Sequence, residues 1–155
     1  MSIPSLPNVL LIIAALATIS FSTTGYPAPT ENSSKLDPCA LVPKEEVAQI
    51  IGELKEAPKA ETGLQKEKEC NYTTTTGAWL KVSLYSSTRW GMQKGILSEM
   101  NPTDLSGLGE EAFAVKRGTT YEIYVRKGES ILEVSSTVGA DATKQFAQMA
   151  AKQLQ

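Results

Sequence analysis

The first charged side chain of this 155-residue chain is Glu31. Everything ahead of it is neutral, and inside that neutral stretch lies the apolar run Val9-Leu10-Leu11-Ile12-Ile13-Ala14-Ala15-Leu16-Ala17. The break in composition constrains the fold more than any other feature, because it removes the leader from the segment that has to build a core. The run has the length of a signal-peptide core and falls short of the about 20 apolar residues that span a bilayer. Small residues follow it at positions a signal peptidase accepts, Ser20 with Ser22 or Thr23 with Gly25. One feature is off-pattern: Met1 to Asn8 contains no Lys or Arg. The expected organisation is a signal peptide over 1–25, a disordered Pro/Ser/Thr/Asn linker over 26–35 and a single domain over 36–155. An uncleaved anchor and a cytosolic fold that uses the leader are the alternatives. About 120 residues are enough for one hydrophobic core.

An exported chain changes the meaning of its only two cysteines, Cys39 and Cys70. Secreted and periplasmic compartments are oxidising, so an even pair of cysteines there reads as a disulfide. The bridge would pin a helix start near Cys39 to a strand containing Cys70. A metal or redox role fits poorly: the spacing is not Cys-x-x-Cys, and the chain has no histidine to complete a zinc site. The missing histidine also removes Ser-His and Cys-His nucleophiles. No cysteine lies near the cleavage region, so no lipid attachment is expected there. The charge balance is 15 basic against 17 acidic residues, with no basic stripe, and no nucleic-acid partner is expected.

Periodicity then divides the mature segment. Pro43 to Ile51 reads as a short helix, with Pro43 first, Glu45 and Glu46 at its positive end, and Gly52 ending it. The charged stretch from Glu53 to Glu69 reads as a loop or a solvated edge hairpin. Glu69 to Thr74 is a strand. Leu80, Val82 and Leu84 alternate with Lys81, Ser83 and Tyr85, which marks a half-buried strand. Arg89 to Met100 reads as a second helix, with Met92, Ile96 and Met100 in one row. Gly91 and Gly95 each weaken it by about 1 kcal/mol relative to alanine. Asn101-Pro102 stops it. A meander follows: a strand to about Lys116, a turn at Arg117-Gly118, alternation through Tyr121, Ile123 and Val125, a turn at Lys127–Ser130, and a strand over Ile131–Val138. A last helix over Ala142–Leu154, capped by Asp141, carries Ala142, Phe146, Met149, Ala150 and Leu154 as its apolar stripe. The expected fold class is α+β: an antiparallel sheet with helices packed on one face, in a single disulfide-stapled domain.

Three segments also carry a likeness: Asp37-Pro38-Cys39-Ala40-Leu41-Val42-Pro43 with Val47–Gly52, then Cys70-Asn71-Tyr72, then Gly107-Leu108-Gly109-Glu110-Glu111-Ala112-Phe113. With Val125-Arg126-Lys127-Gly128 they resemble the DUF3558 family of small exported bacterial proteins, over most of the chain after Leu36. The resemblance implies an extracytoplasmic domain with a disulfide and no established activity, and it supplies no catalytic residues. Members are often lipoproteins, which this chain departs from by lacking a lipidation cysteine. Val42 also stands where a hydroxyl cap is usual.

Candidate chemistry is sparse. Glu110 and Glu111 would point to opposite faces of a strand and read more simply as a polar turn. Gly107 and Gly109 precede a strand, where a phosphate loop would precede a helix, so no cofactor is expected. The best binding lead is aromatic: Trp79, Tyr85, Arg89, Trp90 and Tyr124 are the candidate partner-binding surface, against ordinary core packing of the same residues. The expected function is an exported non-enzymatic domain, secreted or periplasmic, that binds a protein or cell-envelope component and makes no stable membrane insertion after signal cleavage. The alternatives are an extracytoplasmic hydrolase using carboxylates and a purely structural envelope protein.

Overall fold

The computed structural model describes residues 36–154 except Lys66. The expected signal peptide and linker lie outside the described residues. The chain runs through α1 (Pro38–Leu41), α2 (Lys44–Ile51), the hairpin β1 (Lys59–Thr62) and β2 (Lys68–Thr73), β3 (Trp79–Ser86), α3 (Trp90–Leu97) flanked by 3₁₀ turns, a two-residue β4 (Thr103–Asp104), the meander β5 (Glu111–Arg117), β6 (Thr120–Lys127) and β7 (Ser130–Ser136), and α4 (Ala140–Gln153). All strand pairs are antiparallel, in the order β1-β2-β3-β7-β6-β5-β4. The α+β class therefore stands as expected from the sequence. Among the described residues no helix is long and apolar enough to cross a membrane.

The meander is built by its turns. Arg117 pairs with Thr120 and Lys127 with Ser130, so two residues close each hairpin. Gly118 and Gly128 occupy the first central position with φ of 62° and 57°, which is what a two-residue turn matched to strand twist demands. Gly109 has a different reason to be glycine. A Cβ there would lie 2.6 Å from the Arg126 carbonyl oxygen and 2.7 Å from Val125 Cγ1.

Strand alternation sends residues to two separate cores. On one face Tyr72, Leu80, Val82, Leu84, Ile123, Val125, Leu132 and Val134 meet Leu41 of α1, Val47 of α2 and Phe146, Ala147 and Ala150 of α4. On the other face Phe113, Val115, Tyr124 and Ile131 meet Trp90 and Leu97 of α3. The expectation that helices pack on one face holds for α1, α2 and α4 and fails for α3. The physical reason is that β6 and β7 carry large apolar side chains on both faces and β5 adds Phe113 and Val115 to the second, so both faces need cover.

The Cys39–Cys70 disulfide is present, with a Cα–Cα distance of 5.1 Å. It has a partner two residues along β2, where the Tyr72 hydroxyl donates to the Val42 carbonyl at 2.7 Å. The two bonds fix α1, a turn too short for apolar periodicity to mark. It starts at Asp37, whose carboxylate accepts from the Cys39 N–H at 2.9 Å. The last helix begins earlier than expected. Gly139, with φ of 97°, is the N-cap, and Asp141 lies in the first turn without a capping bond. Thr143 ties the first turn down by a back-bond, its hydroxyl donating to the Gly139 carbonyl at 2.6 Å.

Two substitutions probe these constraints. Cys39→Ala/Cys70→Ala frees a loop of 31 residues' separation and is expected to cost about 3–4 kcal/mol, read as a lower urea midpoint. Gly109→Ala forces the Arg126 carbonyl or Val125 to shift and is expected to cost about 1–3 kcal/mol in the same titration. Gly118 is no control for it, because its positive φ adds backbone strain.

Candidate functional site

The second face of the sheet gathers most of the chain's unusual side chains. Its apolar part is an aromatic stack. Phe113 lies 5.3 Å from Trp90 and 5.1 Å from Tyr124 between ring centroids. Half-buried Tyr85 packs against the same group. The indole cannot be buried without a partner for its N–H, and Trp90 Nε1 donates to Glu111 Oε2 at 3.1 Å. Lys94, one helical turn later, reaches the same oxygen at 3.2 Å. Arg126, paired across the strands from Glu111, donates to Oε1 through Nε at 3.2 Å and Nη2 at 2.7 Å. Glu111 thus ties α3 to the sheet. The Trp90 N–H, then Arg126, then Lys94 hold its carboxyl down to about 2 against an ordinary 4.5.

Glu110 joins the same knot. Its Oε2 lies 2.6 Å from Arg126 Nη1, and its Oε1 accepts from the Gly128 N–H at 2.8 Å. The expectation that Glu110 and Glu111 face apart is therefore overturned. Glu110 precedes β5, so strand alternation does not govern it, and Arg126 draws both carboxylates onto one guanidinium.

Next to the aromatic stack runs a polar belt on β2, β3, β7 and β6. The Tyr85 hydroxyl donates to Glu133 Oε2 at 2.7 Å, and Ser135 donates to Glu133 Oε1 at 2.8 Å. Lys81 lies 3.2 Å from Glu69 and 4.0 Å from Glu133. The Tyr124 hydroxyl donates to Glu122 Oε2 at 2.9 Å, and Arg117 Nε sits 3.3 Å from Glu122 Oε1. Glu122 and Glu133 are both buried. Burial pushes the pKa of Tyr85 and Tyr124 up, and the neighbouring carboxylates push further in the same direction: Glu133 on both, with Glu122 on Tyr124. Burial opposes the charge on Lys81, yet Glu133, Glu69 and Glu67 outweigh it and raise its pKa. Chemically the belt is a satisfied network. Each of these acids already accepts from donors of its own chain, which rigidifies the face.

α3 presents a third feature, on its outer side. Trp90 and Leu97 turn inward, while Met92, Ile96 and Met100 are 51%, 64% and 37% exposed. Met92 and Ile96, four apart, share one row of α3, and Met100 ends the 3₁₀ turn that continues the helix. Gly91 and Gly95 lie on the same outer side, and a Cβ built on either meets nothing within 4 Å. At the start of the helix Arg89 donates to the Gln65 side chain at 2.6 Å and to the Gln65 carbonyl at 2.9 Å. That holds the β1–β2 turn, with its fully exposed Leu64, at this end of α3.

Of the residues expected to form a binding surface, Tyr85, Trp90 and Tyr124 are brought together, but as the walls of the second core, with Trp90 and Tyr124 buried. Arg89 stands at the edge of α3. Trp79 is half-buried at the opposite end of β3, six residues or about 20 Å from Tyr85 along an extended strand. The belt acids Glu69, Glu122 and Glu133 were not singled out by sequence. Glu122 and Glu133 carry one signal, a charged residue at a strand position flanked by apolar ones, while Glu69 follows a lysine and carries none. No family model, curated protein or solved structure matches the chain.

Two measurements check the electrostatics. A Glu111→Gln variant should keep its sheet but lose protection of the α3 amides to hydrogen exchange and expose Trp90 to iodide quenching. In the wild-type protein the sign is set by a lowered carboxyl pKa: the contribution of Glu111 is complete above 4.5 and is lost as pH falls toward about 2. For the tyrosines the sign reverses. Burial, then Asp37, pushes Tyr72 up to about 12 from 10.0. Stability should therefore hold up to about pH 10 and decline between 10 and 12, which denaturant titrations across that range would read.

Proposed function

We propose that this chain is an exported, non-enzymatic domain that binds a partner polypeptide through the outer face of α3. One observation carries the reading: Met92 and Ile96 stand exposed on a helix whose inner side is locked by Trp90, Leu97 and Glu111, and Met100 stands exposed at the end of the 3₁₀ turn that continues it. A rigid helix with an apolar ridge outside is the form in which proteins present a face to another chain. The open glycines beside the ridge let a second backbone approach closely. Export is supported by the uncharged leader and by the disulfide, which belongs to oxidising compartments. The DUF3558 resemblance points the same way. A carboxylate hydrolase fits less well, because Glu69, Glu111, Glu122 and Glu133 are already held by lysine, arginine, tyrosine, serine or tryptophan donors of the same chain.

The test is photo-crosslinking in the producing cell's exported fraction, with a benzophenone side chain at position 96 or, as control, at position 144 on the exposed side of α4. A discrete protease-sensitive adduct is expected at 96 and none at 144. Met92→Ser/Met100→Ser should reduce its yield at least about tenfold, since each buried methionine side chain contributes roughly 1.5–3 kcal/mol. A protease-resistant lipid or glycan adduct would shift the partner to a cell-envelope component. No adduct at 96 would overturn the reading in favour of a structural role.

A further inference from the structure

Both cysteines of the chain are spent in the disulfide, and no free thiol remains. Thioethers are then the side chains most open to two-electron oxidation, and their susceptibility follows exposure. The chain has four methionines, three of them among the described residues. Met149 packs against the first core. Met92 and Met100 are the exposed pair, Met92 one turn before Ile96 on α3 and Met100 four residues after it at the end of the 3₁₀ turn. The groups that would carry an apolar contact are thus the groups an oxidant meets first.

We propose that Met92 and Met100 are oxidation sites that switch the α3 face from apolar to polar; this rests on the docking reading given above. The oxidant class is a peroxide, as hydrogen peroxide. The methionine sulfur lone pair attacks one peroxide oxygen, the O–O bond breaks, and the departing hydroxide takes the remaining proton to leave as water. Sulfur is oxidised by two electrons to the sulfoxide, and the peroxide is reduced. The product replaces a flexible apolar group with a polar, hydrogen-bonding one on each side of Ile96. Neither methionine contributes to the buried clusters, so the change falls on the surface and leaves the fold in place. Trp90, the other oxidisable group of α3, is shielded by Phe113 and Glu111.

The experiment treats the purified chain with graded hydrogen peroxide and follows each methionine by peptide mass spectrometry. Sulfoxide is expected at Met92 and Met100 at least about tenfold faster than at Met149, in line with exposure. Retention on a hydrophobic-interaction column should fall in step with it, with an unchanged circular dichroism spectrum. Met92→Leu/Met100→Leu keeps the apolar volume without the sulfur and should keep its retention at every peroxide dose. Oxidation of Met149 at the rate of Met92 would overturn the assignment of the sites. Full sulfoxide at both positions with unchanged retention and unchanged crosslinking at 96 would overturn the switch while leaving the docking reading standing. Absence of any adduct at 96 before oxidation would overturn the docking reading and the switch together, whatever the order in which the methionines oxidise.

Discussion

Every residue of β7 is buried, on both of its faces. The strand lies in the middle of the sheet, between β3 and β6, so this single fact dictates two layers of cover. One layer is apolar and familiar: Leu132 and Val134 meet α4 and α1. The other must accept Ile131, Glu133 and Ser135 in sequence, an apolar residue followed by a carboxylate and a hydroxyl. No single apolar helix could cover that run without stranding a charge. The solution is divided along the strand. Ile131 goes under α3 with Phe113 and Tyr124, and Glu133 goes into the tyrosine, serine and lysine network.

That division explains why the first face was legible and the second was not. Leu80, Val82 and Leu84 alternate cleanly with polar residues, and the two glycine-first hairpin turns fix the register of the meander. Equally local signals marked both cysteines as a staple between a helix start and a strand. On the second face the residues come from six separate segments, and each segment alone looks ordinary. Glu111 reads as half of a polar turn until Arg126 is placed opposite it, and that placement comes from pairing two strands. The same holds for Glu133, which meets Tyr85 only once β3 and β7 are paired, whereas Glu122 meets Tyr124 two residues along its own strand.

α3 shows the limit of periodicity in another way. Its sequence carries two apolar rows, Met92-Ile96-Met100 and Trp90-Leu97, and helical spacing alone does not choose between them. The indole does. Burying it removes about 150–250 Å² from water, roughly 4–6 kcal/mol before ordering costs and the largest single gain in either row. The indole N–H also needs an acceptor, and Glu111 lies on the sheet to provide it. Trp90 therefore wins the inner side and turns the methionine row outward. The candidate site is a consequence of that competition, which is why it is visible only once Glu111 has been positioned by Arg126.

The glycines separate what the fold requires from what it does not. Gly118 and Gly128 hold left-handed backbone, and Gly109 stands where a side chain would strike the Arg126 carbonyl. Substituting any of them disturbs the domain itself. Gly91 and Gly95 have helical backbone and open space around them, so alanine at either position would strengthen α3 by about 1 kcal/mol. The interior offers no reason to keep a helix this weak. Its anchoring is correspondingly concentrated in Trp90, Leu97 and the Glu111 knot, all on the inner side. A helix held firmly from within and left flat and apolar without is an arrangement whose logic lies in what approaches its outer face.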